Sequence, residues 1–212
     1  METGTVYLIG AGPGDPGLLT RRGAELLGRA DVVIYDALVN QEILSMASAD
    51  AEIIFAGKRA SKHAIPQGEL NQLLIDKAKK GLAIVRLKGG DPYILGRGGE
   101  EAQELQTAGI PFEITPGISS FVAAPAYAVI PVTHREHCSS FTVITGHEKP
   151  GKDGSSINWE KLANETGTRV ILMGADRIRL ITERLQENGI DEDTPVAMIR
   201  WGTAGRQQTL IG

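Results

Sequence analysis

The chain has 212 residues, 42% of them hydrophobic, and a formal net charge of −4 at pH 7. That length buries one good core or two small ones, and 26 glycines with only 5% aromatics favour a loop-rich α/β protein over a β-sandwich. The negative balance argues against a general nucleic-acid binder, and the single cysteine, Cys138, excludes an intrachain disulfide and a cysteine-rich zinc cluster.

A strand pattern begins almost at once, at Val6–Ile9, without the basic and apolar regions of a signal peptide. No stretch approaches the roughly 18 apolar residues of a membrane helix, and the single cysteine fits a reducing cytoplasm. Strands are predicted at Val6–Gly10, Val32–Tyr35, Glu52–Phe55, Ala83–Leu87 and Phe112–Ile114, and helices near Leu18–Gly28, Gln41–Met46, Pro66–Lys79 and Gly99–Ala108. In the third helix Leu70, Leu73, Leu74 and Ile75 follow the spacing of a core-facing stripe, and Lys79-Lys80-Gly81 marks its stop. Strand–helix alternation of this kind predicts βα units and a largely parallel sheet.

A second block follows Thr115-Pro116-Gly117. Ile118–Ala128 is rich in small residues and reads as a closely packed helix or linker. Next come a strand at Phe141–Thr145, a loop over Glu148–Ser156 and a helix near Trp159–Glu165. A strand at Arg169–Met173, a helix at Arg177–Asn188 and strands at Pro195–Ile199 and Gln207–Ile211 complete the pattern. The expected fold is therefore two α/β domains, residues 1–116 and 138–212 joined by a linker at 117–137, with a small-molecule site in the cleft between them.

The densest chemical signal lies between Ala83 and Glu101, where an apolar run ends in five glycines with Asp91, Pro92 and Arg97. In open α/β sheets ligands bind beyond the carboxyl ends of the strands. Gly89 and Gly90 are expected to leave main-chain groups open there. Gly10-Ala11-Gly12-Pro13-Gly14-Asp15-Pro16 follows the first strand, and Asp36 ends the second, as in a dinucleotide-binding fingerprint. Pro13, which lacks a donor, and Asp15, which would repel a pyrophosphate, argue against that reading; Asp15 reads instead as a helix N-cap or as a binder of a polar, non-anionic group. Lys58-Arg59-Ala60-Ser61-Lys62-His63, with Arg97, Arg135, His134 and His137, is expected to gather positive charge on one rim, suited to a substrate with several carboxylates. His134 and His147 are candidate catalytic histidines, although no Ser–His–Asp or Cys–His order accompanies them, and the four histidines lack metal-ligand spacing, so no metal is assigned.

These residues resemble the tetrapyrrole (corrin/porphyrin) methylases along the whole chain. The matching elements are VYLIGAGPGDPGLLT from Val6, VIYDALV from Val33, GKRASKH from Gly57, PQGELN from Pro66, VRLKGGDPYILGRGGEE from Val85, TPGISS from Thr115 and IPVTHR from Ile130. The RGGEE loop with KRxxKH and PQxExN points to the members that act on uroporphyrinogen III. The resemblance implies a two-domain methylase fold, usually a homodimer, with S-adenosylmethionine in the interdomain cleft. It implies that Pro13, Gly89, Gly90, Asp91, Ser119, Ser120, Met173 and a residue near Gly202 surround the cofactor, and that Arg97, Glu100, Arg135 and Asp36 face the tetrapyrrole. The implied reaction methylates C2 and C7 in turn, giving precorrin-2 and S-adenosylhomocysteine for sirohaem or cobalamin synthesis. Relatives of this kind continue past Gln208-Thr209-Leu210, so the C-terminal domain reads as shortened. Competing readings are a methylase acting on a later corrin precursor, a ribosomal-RNA ribose methyltransferase and a non-catalytic tetrapyrrole-binding module. Neither nucleic acid nor membrane is an expected partner.

Overall fold

The computed structural model describes residues 2–57, 65–147 and 155–212. The chain divides into two compact units, Met1–Ala123 with Trp201–Arg206, and Ala124–Arg200 with Gln207–Gly212.

The first unit is built on five strands: β1 (Val6–Gly10), β2 (Val32–Tyr35), β3 (Glu52–Phe55), β4 (Ile84–Lys88) and β5 (Phe112–Thr115). All pair in parallel, in the order β3-β2-β4-β1-β5. Every residue of β2 and β4 is buried, as parallel strands covered on both faces require. Alternate side chains separate two cores. Val6, Leu8, Val32, Ile34 and Ile84 pack on Leu70 and Leu74 of α3 (Gln67–Ala78) and on Ala102 and Leu105 of α4 (Gly98–Thr107). Ile9, Val33, Tyr35, Val85 and Leu87 pack on Leu26 and Leu27 of α1 (Arg21–Leu27) and on Ile43 of α2 (Gln41–Leu44). Each such buried side chain contributes about 1.5–3 kcal/mol of transfer free energy.

The helix expected over Leu18–Gly28 is two pieces. Asp15 Oδ1 accepts from Gly17 N at 2.7 Å and caps a 3₁₀ turn at Pro16–Leu18, as its sequence position suggested. Thr20 then accepts from Gly23 N at 3.1 Å and restarts the chain as α1 at Arg21. The fifth helix, α5 (Ser120–Tyr127), contains Pro125 near its end.

The second unit holds β6 (Phe141–Thr145), α6 (Trp159–Ala163), β7 (Thr168–Leu172), α7 (Ile178–Glu187), β8 (Ala197–Arg200) and β9 (Gln208–Ile211). β6 and β7 pair in parallel, whereas β8 and β9 form an antiparallel pair. Leu162, Ala163, Ile181 and Leu185 form a small core under β6 and β7. α6 ends two residues before the predicted Glu165, because the Arg169 side chain donates to the carbonyls of Leu162 (2.6 Å), Ala163 (2.8 Å) and Glu165 and satisfies the helix end. No helix among the described residues is long and apolar enough to cross a membrane.

Candidate active site

The carboxyl ends of β1, β4 and β5 converge on three glycines. A Cβ at Gly117 would lie 2.2 Å from Gly90 O and 2.6 Å from Gly10 Cα, and one at Gly10 would lie 2.5 Å from Gly90 O. Any larger residue at these positions would force the backbones apart, so glycine is required for close approach rather than for turn geometry alone. Gly12 and Gly90, both at positive φ, pair with each other: Gly12 N donates to Gly90 O at 3.2 Å and Gly90 N to Gly12 O at 2.7 Å. Gly89 N donates to Asp36 Oδ1 at 3.4 Å, and a Cβ on Gly89 would meet Leu38 Cβ at 2.6 Å. This corrects the expectation that Gly89 and Gly90 leave their amides open. Their donors are spent joining loops, and what the missing side chains supply is proximity. On its outer side Gly90 is open, since a Cβ there would meet nothing nearer than Ser119 Cα at 3.8 Å.

Carboxylates and one hydroxyl tie these loops. Asp91 accepts from Tyr93 N at 2.8 Å on Oδ1 and from Gly117 N at 3.0 Å on Oδ2, which joins the loop after β4 to the loop after β5. Asp36 Oδ1 also accepts from Leu38 N at 3.3 Å. Asn40 donates to Gly14 O at 2.8 Å, and Asp15 N donates to Thr203 Oγ1 at 3.1 Å across 188 residues of chain. Gly202 lies in that same returning segment, with its carbonyl 3.4 Å from where a Cβ of Gly14 would stand. Pro13, Asp36, Gly89, Gly90, Asp91, Ser119 and Gly202 thus belong to one cluster of loops at one edge of the sheet. Ser119 is buried at the head of α5 and Ser120 begins that helix. β5 ends in Thr115, whose buried Oγ1 has no hydrogen-bond partner among the described residues.

Further along the loop after β4, Gly98 N donates to Pro92 O at 2.9 Å and folds the segment back, with Arg97 at φ +60°. Arg97 pairs with Glu100 through two bonds, Nε to Oε1 at 2.9 Å and Nη2 to Oε2 at 2.7 Å, both side chains more than half exposed. The hydrogen bonds it donates to Glu100 hold the Arg97 guanidinium pKa above its ordinary value. Arg135 and Met173 belong to the second unit. Met173 follows β7 at φ +58° and is exposed, where Gly146 and Gly174 approach so closely that a Cβ on Gly146 would lie 2.5 Å from Gly174 Cα. Arg135 sits in the turn closed by His134 N donating to Cys138 O at 2.9 Å. His134 Nδ1 accepts from Glu136 N at 3.2 Å, and its ring stacks on His137 at 4.6 Å, so one imidazole nitrogen is engaged in shaping the turn. The cationic run 58–63 lies outside the described residues.

Sequence reasoning missed Asn40 and the partner of Thr203. Asn40 was visible as an N-cap ahead of α2, where its Oδ1 accepts from Glu42 N at 3.0 Å, but its second bond to Gly14 was not. Trp201-Gly202-Thr203 reads from the sequence as a strand end whose glycine opens a pocket, but nothing local signals the bond of Thr203 to Asp15, which lies in the first loop of the chain.

The profile of the tetrapyrrole (corrin/porphyrin) methylases matches residues 5–212. The chain belongs to this family. Among curated tetrapyrrole methylases it is 53% identical over 209 residues to a uroporphyrinogen-III C-methyltransferase of Synechocystis, covering 99% of this chain and 80% of that one. It is 51% identical to an S-adenosyl-L-methionine-dependent uroporphyrinogen III methyltransferase of Methanosarcina barkeri, covering 99% and 82%. Against a uroporphyrinogen-III C-methyltransferase of Bacillus subtilis it is 49% identical but spans 44% of the relative's length. The crystal structure of a uroporphyrin-III C-methyltransferase from Thermus thermophilus with S-adenosyl homocysteine superposes with a TM-score of 0.83 at 35% identity, covering 99% of this chain and 83% of that one. Both the parallel sheet and the methylase fold expected from the sequence are thereby established.

Proposed function

We propose that this methylase converts uroporphyrinogen III to precorrin-2 by S-adenosylmethionine-dependent methylation at C2 and C7, with two S-adenosylhomocysteines as by-products, in the route to sirohaem or cobalamin. The observation that carries the reading is the 53% identity over 209 residues to a relative named for this reaction. We infer that Pro13, Gly89, Gly90, Asp91, Ser119, Ser120, Met173 and Gly202 hold the cofactor, and that Asp36, Arg97, Glu100 and Arg135 face the tetrapyrrole. The first-unit residues fit a ligand with polar groups: Gly90 is open toward Ser119, and Thr115 offers a buried hydroxyl without a partner among the described residues.

When bound, S-adenosylmethionine supplies an electrophilic methyl group on sulfonium. The protein's task is then chiefly placement, and orientation of two reactants is worth up to about 7–11 kcal/mol. The Gly10–Gly90–Gly117 crossing and the bond from Gly117 N to Asp91 Oδ2 hold the loop after β4 against the loop after β5, which supports such a role for these loops. Arg97 presents a planar fork for a substrate carboxylate. As an arginine it stays protonated and binds rather than accepts the proton each methylated ring must lose. That proton leaves to a carboxylate or to water. Asp36, at the end of β2, presents a carboxylate that can accept from pyrrole N–H groups. Support for a homodimer comes from the family resemblance, and the lone Cys138 fits a reducing cytoplasm.

Incubation of the purified protein with uroporphyrinogen III and S-adenosylmethionine should give a doubly methylated product by mass and absorbance. A panel that includes later corrin precursors should show no comparable turnover. Turnover of a corrin precursor alone, or none, overturns the proposal.

A further inference from the structure

The middle strand of the sheet, β4, carries two cations where apolar side chains are the rule. Arg86 is 4% exposed and Lys88 3%, and both face Glu101 of α4, which is 0% exposed. Glu101 Oε1 accepts from Lys88 Nζ at 3.0 Å, Arg86 Nε at 3.2 Å and Gln67 Nε2 at 3.2 Å. Its Oε2 has no hydrogen-bond partner among the described residues. The functional reading above uses none of these four side chains.

Two buried cations against one buried carboxylate leave positive charge in excess, and buried charge is tolerated only when paired. The second negative charge is Asp36. Arg86 Nη2 lies 3.6 Å from Asp36 Oδ2, a charge contact rather than a hydrogen bond. Arg86 Nη1 donates to Ile34 O at 3.4 Å and Leu87 O at 3.2 Å, the carbonyls of two adjacent strands. Each nitrogen of this guanidinium is therefore committed: Nε inward to Glu101, Nη1 to the sheet and Nη2 outward to Asp36. The Asp36 side chain is 27% exposed, against 5% for Arg86, so it alone of the pair looks outward from the sheet edge.

We propose that Arg86, held in place by Glu101, is a positioning residue that aims the Asp36 carboxylate; this rests on the substrate-facing role given to Asp36 above. Without the guanidinium, the described residues orient Asp36 through Oδ1 alone, by bonds of 3.3 and 3.4 Å that are long for amide donors. Lysine at position 86 would keep the charge but could not reach Glu101, two strand carbonyls and Asp36 together. A shift of about 1 Å in an orienting group can cost about 100-fold in rate.

The test is a double-substitution cycle in the whole protein, using Arg86→Lys, Asp36→Asn and both together. Turnover of uroporphyrinogen III and the KM for S-adenosylmethionine are followed. Each single change is expected to lower kcat by about 10–100-fold, with the cofactor KM within about two-fold, and the double variant to be no slower than Asp36→Asn. Losses that multiply in the double variant, or a wild-type kcat for Arg86→Lys, overturn the proposal. If Arg86→Lys does not fold, Glu101→Gln enters the same cycle with the same expectations. Should the wild-type protein leave uroporphyrinogen III unmethylated, the functional reading falls separately. The positioning claim is then decided by a crystal structure of Arg86→Lys or Glu101→Gln, which must show the Asp36 carboxylate displaced by about 1 Å on an unmoved loop; a carboxylate left in place overturns it.

Discussion

Substituting alanine for Gly117 puts a methyl group where three backbones meet. The new Cβ would stand 2.2 Å from Gly90 O, 2.6 Å from Gly10 Cα and 2.7 Å from Gly10 C. Carbon contacts are comfortable at about 3.5–4.0 Å, so relief needs a movement of about 1 Å by main chain on β1 or β4. No flexible side chain is available to give way. Movement of Gly117 itself would stretch its 3.0 Å bond to Asp91 Oδ2. Overpacking of this kind costs about 1–3 kcal/mol, and rigid neighbours place Gly117→Ala at the upper end. For a chain of this size about 3 kcal/mol lowers Tm by about 6–12 °C. The matched control is Gly99→Ala in the first turn of α4, where an added Cβ meets nothing within 4 Å. It should gain up to about 1 kcal/mol from helix propensity. Scanning calorimetry of the three proteins, with titration of S-adenosylhomocysteine, reads both consequences. Gly117→Ala should also weaken the ligand by about 10-fold or more if the crossing fixes the cofactor loops. A Gly117→Ala protein melting within about 1 °C of wild type would show that the loops are not packed as described.

Burial, and then the Arg86 charge, lower the Lys88 pKa from 10.5. The folded protein therefore binds this proton less readily than the unfolded chain, and stability rises with pH between the lowered value and 10.5. Lys88→Met should flatten that rise in Tm across the alkaline range; an unchanged slope would contradict the assignment. Arg97→Lys should leave Tm within about 4 °C, because an exposed pair contributes at most about 1 kcal/mol. It should raise the KM for uroporphyrinogen III by about 10-fold through loss of the fork, and kinetics within two-fold of wild type would remove Arg97 from the substrate site. The Cys138 thiol pKa is lowered chiefly by its contact with Thr168 Oγ1, at 3.2 Å. Thr168→Val should move the midpoint of the pH–alkylation curve upward, and an unmoved midpoint would deny Thr168 that effect.

The strands of the parallel sheet were legible to within a residue because each is a short apolar run bounded by turn chemistry. The break in the first helix was legible in principle, since Thr20 precedes Arg21 as an N-cap, but the apolar pattern of Leu18, Leu19 and Leu26 masked it. The glycines were found, yet their use was misread. Composition shows where side chains are missing but not which backbone fills the gap, and the space beside Gly10 and Gly117 proved to be filled by Gly90 O. Arg86 and Lys88 stood in plain view at i and i+2. Their burial depends on β4 occupying the middle of the strand order, which is a long-range fact that no local pattern carries. For the same reason Thr203 was invisible beside Asp15.

That bond from Asp15 to Thr203 spans 188 positions, and it has a meaning for biosynthesis. A ribosome adding about 5–20 residues per second would release Asp15 about 10–40 s before its hydroxyl partner exists. During that interval the sheet can assemble while the turn after β1 awaits its last anchor. Truncated translation products ending before Trp201 should therefore carry a formed sheet and a loosely held first loop, which proteolysis would cut near Pro13–Asp15.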